Sequence, residues 1–331
     1  MMKRVSPTLV LFFLSPIIAE LLSGSAPPAE FFNPFTLLVL TALYGSGAIL
    51  VRELRVRWGK GWPTVFALGA AYGIVEEGLM VKSFFDPSWP DLGLLGSYGR
   101  WAGVNWVWSL ELTIFHAVFS IAIPILLVEL IFPSRRNERW VGRRGMISLS
   151  FLLLADVLFG FFLLTPYRPP LVPYLLATLA TVALFVMARR LPVRWSTPRP
   201  VHVPRPLWFA SVGFSATLAF FVIHWVLPAL APPVLLTMLA AVALVALLAW
   251  TVRRMSHDGA WTDQHRLALA GGALMFFVLL APVQELDATR TNNPAGPVLS
   301  GAEGMTVVGL AALVFLVWLW RRVRRTMEKP R

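Results

Sequence analysis

Cysteine is missing from this chain of 331 residues, and charge is scarce: only 14% of the residues are Asp, Glu, Lys or Arg. Without cysteine there is no disulfide, no zinc–thiolate site and no iron–sulfur cluster. The helical metalloprotease motif His-Glu-x-x-His is also missing. Soluble domains carry about 25% charged residues. A share of 14% beside 57% hydrophobic residues excludes a cytoplasmic enzyme, a disordered protein and a disulfide-stapled secreted domain. A mean hydropathy of +0.69 agrees. What remains is a polytopic integral membrane protein, an all-α helix bundle.

Apolar runs long enough to cross roughly 30 Å of hydrocarbon occur near residues 6–24, 35–51, 62–81, 105–131, 146–165, 171–188, 207–228, 233–251, 266–284 and 303–320. The expectation is therefore ten spans. The first follows Met1-Met-Lys-Arg4 as a signal peptide would, but it runs on past Pro16 with Glu20 inside it and is read as a span. With the N-terminus inside, only Lys82, Arg100, Arg168 and Arg290 of the 29 Lys and Arg fall in outer segments. This bias predicts both ends inside, in the cell (cytoplasmic) membrane. The net charge of +12 is then an orienting charge that also attracts anionic lipid at the cytoplasmic face, with no call for nucleic acid. No soluble domain is expected. The chain reads as one transmembrane domain over 1–331, with a site core at 62–131 and 207–228, further spans over 233–320 and a basic tail at 321–331.

Ionisable residues inside a span are costly and usually mark pathways or catalysis. Here they are Glu20, Glu76, Glu77, Glu111, His116, Glu129, Asp156 and His224. At 1.5 Å per residue, Glu76 lies roughly 21 Å from the inner end of its span and His116 about 16 Å below Asn105. Glu20, Glu76, Glu77, Glu111, His116 and His224 then share a slab in the outer half, and Asp156 sits near the midplane. Glu129, near the inner end beside Arg135 and Arg136, reads as a surface ion pair.

Glu76-Glu77 is the sharpest local feature. Gly69, Gly73 and Glu77 recur four residues apart, a small-residue stripe that lets another helix approach. Glu76 projects about 100° away, on the face of Tyr72. Two carboxylates cannot easily stay ionised together in low dielectric, so the pair calls for a proton or a cationic partner. It suits a general base or proton carrier. The plainer alternative is a capped helix end paired with Lys82 and Arg100. His116 shares one helix face with Asn105, Ser109, Thr113 and Ser120, a polar stripe that has to line a cavity or another polar helix. Glu76, Glu77, His116 and His224 are the candidate catalytic residues. Asn105, Ser109, Ser120 and Glu111 are the candidate substrate contacts. Asp156 reads as an interhelical acceptor. The aromatic loop from Phe84 to Trp101 is either an interfacial belt or a lid, and the polar segment Gln284–Pro294 could cover the same opening.

A glutamate pair ending one span, with a buried histidine in the next, resembles the superfamily of glutamate-dependent intramembrane proteases that holds the CAAX prenyl endopeptidases and the Abi proteins. Their pattern is Glu-Glu-x-x-x-Arg, then Phe-x-x-x-His, then His-x-x-x-Asn/Asp. The resemblance implies that Glu76 activates a water and that His116 and His224 help bind it or the oxyanion. Val81 stands where that family has Arg, Leu112 where it has Phe, and Pro228 where it has Asn or Asp. The outward site also differs from the cytoplasmic access that prenyl-protein processing needs. The runs Glu76-Glu-Gly-Leu79, Phe85-Asp-Pro87 and His116-Ala-Val-Phe-Ser-Ile121 look like a set of uncharacterised prokaryotic membrane proteins.

Three functions fit these residues. One is an intramembrane hydrolase with Glu76 as base, Glu77 as electrostatic partner and His116 as co-ligand or oxyanion stabiliser. Another is a proton- or cation-coupled transporter. The last is a non-catalytic scaffold or lipid-binding protein, whose polar residues would be paired off with no void. No cofactor is called for, although Glu76 and His116 could hold a divalent metal.

Overall fold

The computed structural model describes residues 5–193, 203–255, 261–287 and 302–327. The all-α expectation holds, and each of the ten apolar stretches is helical. They are α1 (Pro7–Leu22), α2 (Pro34–Arg57), α3 (Trp62–Gly73, continued by Ile74–Met80), α4 (Trp106–Ile131), α5 (Arg143–Leu164), α6 (Leu171–Arg190), α7 (Pro206–Leu230), α8 (Val234–Met255), α9 (Asp263–Leu286) and α10 (Met305–Thr326). Eight of them, all but α1 and α3, are long and apolar enough to cross a membrane. The strand content among the described residues is one two-residue hairpin, Arg100–Trp101 against Val104–Asn105.

Local chemistry sets the helix starts. Proline occupies the first turn of α1, α2, α3 and α7, where its missing N–H is no loss. Asn33 caps α2 by accepting from Phe35 N at 3.0 Å. Asn105 caps α4 by accepting from Trp108 N at 3.0 Å. Thr262 and His265 form a reciprocal capping box on α9.

Burial orders the bundle. The apolar window of α4 is 83% buried, against 11% for α5, 6% for α6 and 11% for α8. Helix α4 is therefore the hub, while α5, α6 and α8 present Leu, Val and Phe outward, as lipid-facing helices do. Helix α3 packs along α4, and α9 lies between α7 and α10.

Beyond the expected inner limit of the second span, α2 continues as a helix to Arg57 and buries Arg52, Glu53 and Arg55. Glu129 is likewise buried, and its partners are not Arg135 and Arg136. Arg55 reaches both of its oxygens, at 3.0 and 3.2 Å, and Arg52 lies 3.6 Å away. Arg136 instead binds Asp263 in the first turn of α9, at 2.5 and 3.1 Å. The surface ion pair expected from sequence is a buried network, because α2 packs its last turns against α4 and the segment after it.

The chain's lack of cysteine makes its orientation easy to test. Single cysteines at the exposed positions Arg139 and Ser88 should label oppositely in intact cells: shielded at 139, reactive at 88 with an impermeant thiol reagent. Labelling at 139 from outside would overturn the inside placement of the arginine-rich end.

A buried carboxylate–imidazole cluster

The site begins with two glycines. A Cβ at Gly69 would stand 2.9 Å from Ala117 Cα, and one at Gly73 2.9 Å from His116 Cβ and 3.3 Å from Thr113 Cα. Only hydrogen fits there, so α3 and α4 approach backbone to backbone around His116. Both helices then widen into π-helical turns, Ile74–Met80 and His116–Ala122. Two neighbouring helices do the same at Ile17–Leu22 and Thr41–Gly45. These turns carry Glu20, Tyr44, Glu76, Glu77, His116 and Ser120. Such turns are rare and concentrate at functional sites.

Glu76 and Glu77 both reach His116. Its Nε2 lies 3.1 Å from Glu77 Oε1. Its Nδ1 lies 2.9 Å from Ser120 Oγ and 3.3 Å from Glu76 Oε2. The ring thus stands between two carboxylates. Tyr44 lies roughly parallel to it, with ring centres 6.0 Å apart and planes at 30°. Tyr72 meets it edge-on at 6.2 Å. Tyr44 OH donates to Glu20 Oε1, which places a third carboxylate beside the cluster. Ser83 Oγ donates to Glu77 Oε2 at 2.5 Å and accepts from Trp108 Nε1 at 3.0 Å. Ser15 Oγ holds the Ser120 carbonyl at 2.6 Å. His116 is 2% exposed and Glu76 5%. Glu76 Oε2 has no hydrogen-bond partner among the described residues.

The capped-end alternative for the glutamates does not hold. Lys82 turns away with a left-handed φ of 67° and donates to Phe161 O at 2.7 Å and Thr165 O at 3.0 Å. Burial, helped by Arg168, pushes its pKa down to about 8. Arg100 donates to the carbonyls of Phe85 at 2.8 Å and Asp86 at 3.1 Å. Both cations serve the 82–104 loop and its neighbours.

The other candidates divide. Ser120 belongs to the cluster. Asn105 spends its side chain on capping α4 and on Leu95 O and Tyr98 O, and Ser109 donates to Asn105 O at 2.6 Å; the upper part of the polar stripe is a helix cap. Glu111 accepts from Trp225 Nε1 at 2.9 Å. His224 is not brought to the cluster: its Nδ1 pairs with Phe220 O at 2.8 Å and its ring packs on Phe220. Asp156 is buried beside Tyr72 rather than in the cluster.

Tyr44 and Ser83 were not legible as site residues. The nearest signals were the small, polar run around Tyr44 and the position of Ser83 soon after the glutamate pair. The loop from Phe84 to Trp101 folds on a small core of Phe84, Phe85, Leu92, Leu95, Val104, Val107 and Trp108, and Ser83 ties it to Glu77. Most of the polar segment after Gln284 lies outside the described residues. One carboxylate oxygen from each of Glu76 and Glu77 and one nitrogen of His116 lie within 4.8 Å of one another, so among the described residues these three are placed to hold a metal.

Bundle and cluster together define a polytopic α-helical membrane protein with a carboxylate–imidazole site buried among its central helices. The chain belongs to the Uncharacterized membrane protein family, whose model matches residues 9–329. No curated protein and no solved structure matches it.

Proposed function

We propose that this protein is an intramembrane hydrolase that uses a glutamate-activated water. One observation carries the reading: Glu76 Oε2 is buried, lacks a hydrogen-bond partner among the described residues and lies 3.3 Å from His116 Nδ1. A buried carboxylate oxygen that meets an imidazole but makes no close hydrogen bond suits a general base. In this reading a water at that oxygen gives its proton to Glu76 as it attacks a carbonyl carbon. His116, steadied by Glu77 and Ser120, donates to the developing oxyanion, and the proton passes from Glu76 to the leaving group. The resemblance to glutamate-dependent intramembrane proteases supports the roles of Glu76, Glu77 and His116, while the placement of His224 argues against a second histidine from α7. The protein acts in the cell membrane with the site in its outer half, and anionic lipid neutralises its arginine-rich end.

The test uses heavy-oxygen water. Membranes bearing the wild-type chain should release products labelled at the new carboxyl group, and membranes bearing Glu76→Gln should not, at equal protein yield. That variant keeps shape and hydrogen bonding while removing the base, so turnover should drop by at least about 100-fold. Label release at the wild-type rate from Glu76→Gln would sink the mechanism. Glu76-dependent proton flux without labelled products would favour the coupled transporter.

A further inference from the structure

We propose that Glu76, Glu77 and His116 together hold one divalent first-row transition-metal cation, each through a single atom. The inference rests on the hydrolase reading for its purpose but not for its existence. The three ligand atoms already lie within 4.8 Å of one another. Two ligands on a cation with bonds of roughly 2.1 Å stand at most about 4.2 Å apart, so the cluster closes on a metal by side-chain shifts of less than about 1 Å. Glu76 Oε2 supplies the independent sign: it is a buried polar atom without a hydrogen-bond partner among the described residues, and it faces the imidazole.

Charge points the same way. Glu20, Glu76 and Glu77 gather around one imidazole, and among the described residues no Lys or Arg forms an ion pair with any of them. The nearby cations, Lys82 and Arg100, are bound to carbonyls. The surroundings also orient the ligands as metal sites do. Ser83 holds the second oxygen of Glu77 at 2.5 Å, and Ser120 Oγ lies 2.9 Å from Nδ1 of His116, which fixes the orientation of the ring between the carboxylates. Two carboxylates and an imidazole with no thiolate suit zinc or manganese rather than copper(I) or calcium. With the cation bound, the cation rather than an N–H of His116 would meet the oxyanion, while one oxygen of Glu76 binds it and the other takes the proton of the attacking water.

Full-length protein purified in detergent without chelator, incubated with Zn2+ or Mn2+ and desalted, should carry about one metal per chain by plasma mass spectrometry. His116→Ala and Glu77→Gln should each lower that content more than about ten-fold. Glu138→Gln removes an exposed carboxylate paired with Arg135 and should leave it unchanged. Circular dichroism and a monodisperse elution profile establish that each variant is folded, and His116→Gln replaces His116→Ala if the latter is not. Folded wild-type protein with less than about a tenth of an equivalent of either metal overturns the assignment and leaves the cluster closed by shared protons. Equal metal in wild type and both ligand variants also overturns it, by placing the ion elsewhere. Labelled product from folded protein that takes up less than about a tenth of an equivalent of either metal defeats this inference and spares the hydrolase. A stoichiometric metal lost on mutation, with no labelled product, defeats the hydrolase and spares the site.

Discussion

Gly73→Leu should abolish accumulation of the folded protein. A Cβ at residue 73 meets His116 Cβ at 2.9 Å, Leu112 O at 3.3 Å and Thr113 Cα at 3.3 Å. Two of these three are backbone atoms of α4 and cannot rotate aside. A leucine has to push α3 away from the hub helix along its whole length. Overpacking in a dense interior commonly costs about 1–3 kcal/mol and more when backbones must part. Stabilities run to only about 5–15 kcal/mol, so the parted helix pair should not persist. Fluorescence-detected size-exclusion yield and thermal melting report the loss. Gly271→Ala is the matched control, because its Cβ meets only Leu316 Cδ2, at 3.9 Å. It should behave as wild type or melt higher, since alanine favours a helix over glycine. Normal yield of Gly73→Leu would show that this face meets lipid instead.

Arg52→Leu, near the C-terminal end of α2, should be nearly as damaging. The Arg52 guanidinium is fully buried. It donates to Glu53 Oε1 at 2.6 Å and Arg136 O at 2.8 Å, and it lies 3.5 Å from the centre of the Trp140 ring. Removing one member of a buried ionic network deprives the others of a partner, at a cost of up to about 3–5 kcal/mol. Glu53 would keep Trp140 N and a 3.6 Å approach from Arg57, and Glu129 would keep Arg55. Arg52→Lys should fall between, because an ammonium keeps the charge without the planar fork. Melting temperature in one detergent reads all three proteins. A melting point for Arg52→Leu within a degree or two of wild type would mean that the network contributes no stability.

The helices and the Glu76–His116 contact were readable because both depend on short-range pattern. Apolar length marks a span, and the four-residue spacing of Gly69 and Gly73 marks a face that another helix can touch. Depth counting put Glu76 and His116 at neighbouring heights. What could not be read was how both glutamates reach one ring. A regular helix rotates by about 100° per residue and would send Glu76 and Glu77 to different faces. In the structure Val81 N bonds to Glu76 O, five residues back, at 3.0 Å. That wider turn brings the two carboxylates to opposite nitrogens of His116. No hydrophobic period encodes it, since packing against α4 selects it. Arg52 and Arg55 were hidden for a related reason. Arginine at the end of an apolar run reads as loop, and only their distant partners, Glu129 and the carbonyls near Arg136, reveal that they are interior. A lone histidine in a span looks the same whether it serves a site or a local carbonyl, and His224 pairs with the carbonyl of Phe220.

The widened turn at Ile74–Met80 has a consequence for length variation among related chains. A π-helical turn accommodates one residue more than an α-helical turn over the same rise. Dropping one residue from that turn would restore a regular helix with the same two ends, leaving the Gly69–Ala117 contact and the 82–104 loop where they are. The acidic pair would no longer face the imidazole together. A one-residue deletion elsewhere in α3 would instead rotate everything beyond it and break the packing. Relatives one residue shorter within this turn should therefore keep the bundle and lack the cluster, so a gap at this point in an alignment would separate chains with the site from chains with the fold alone.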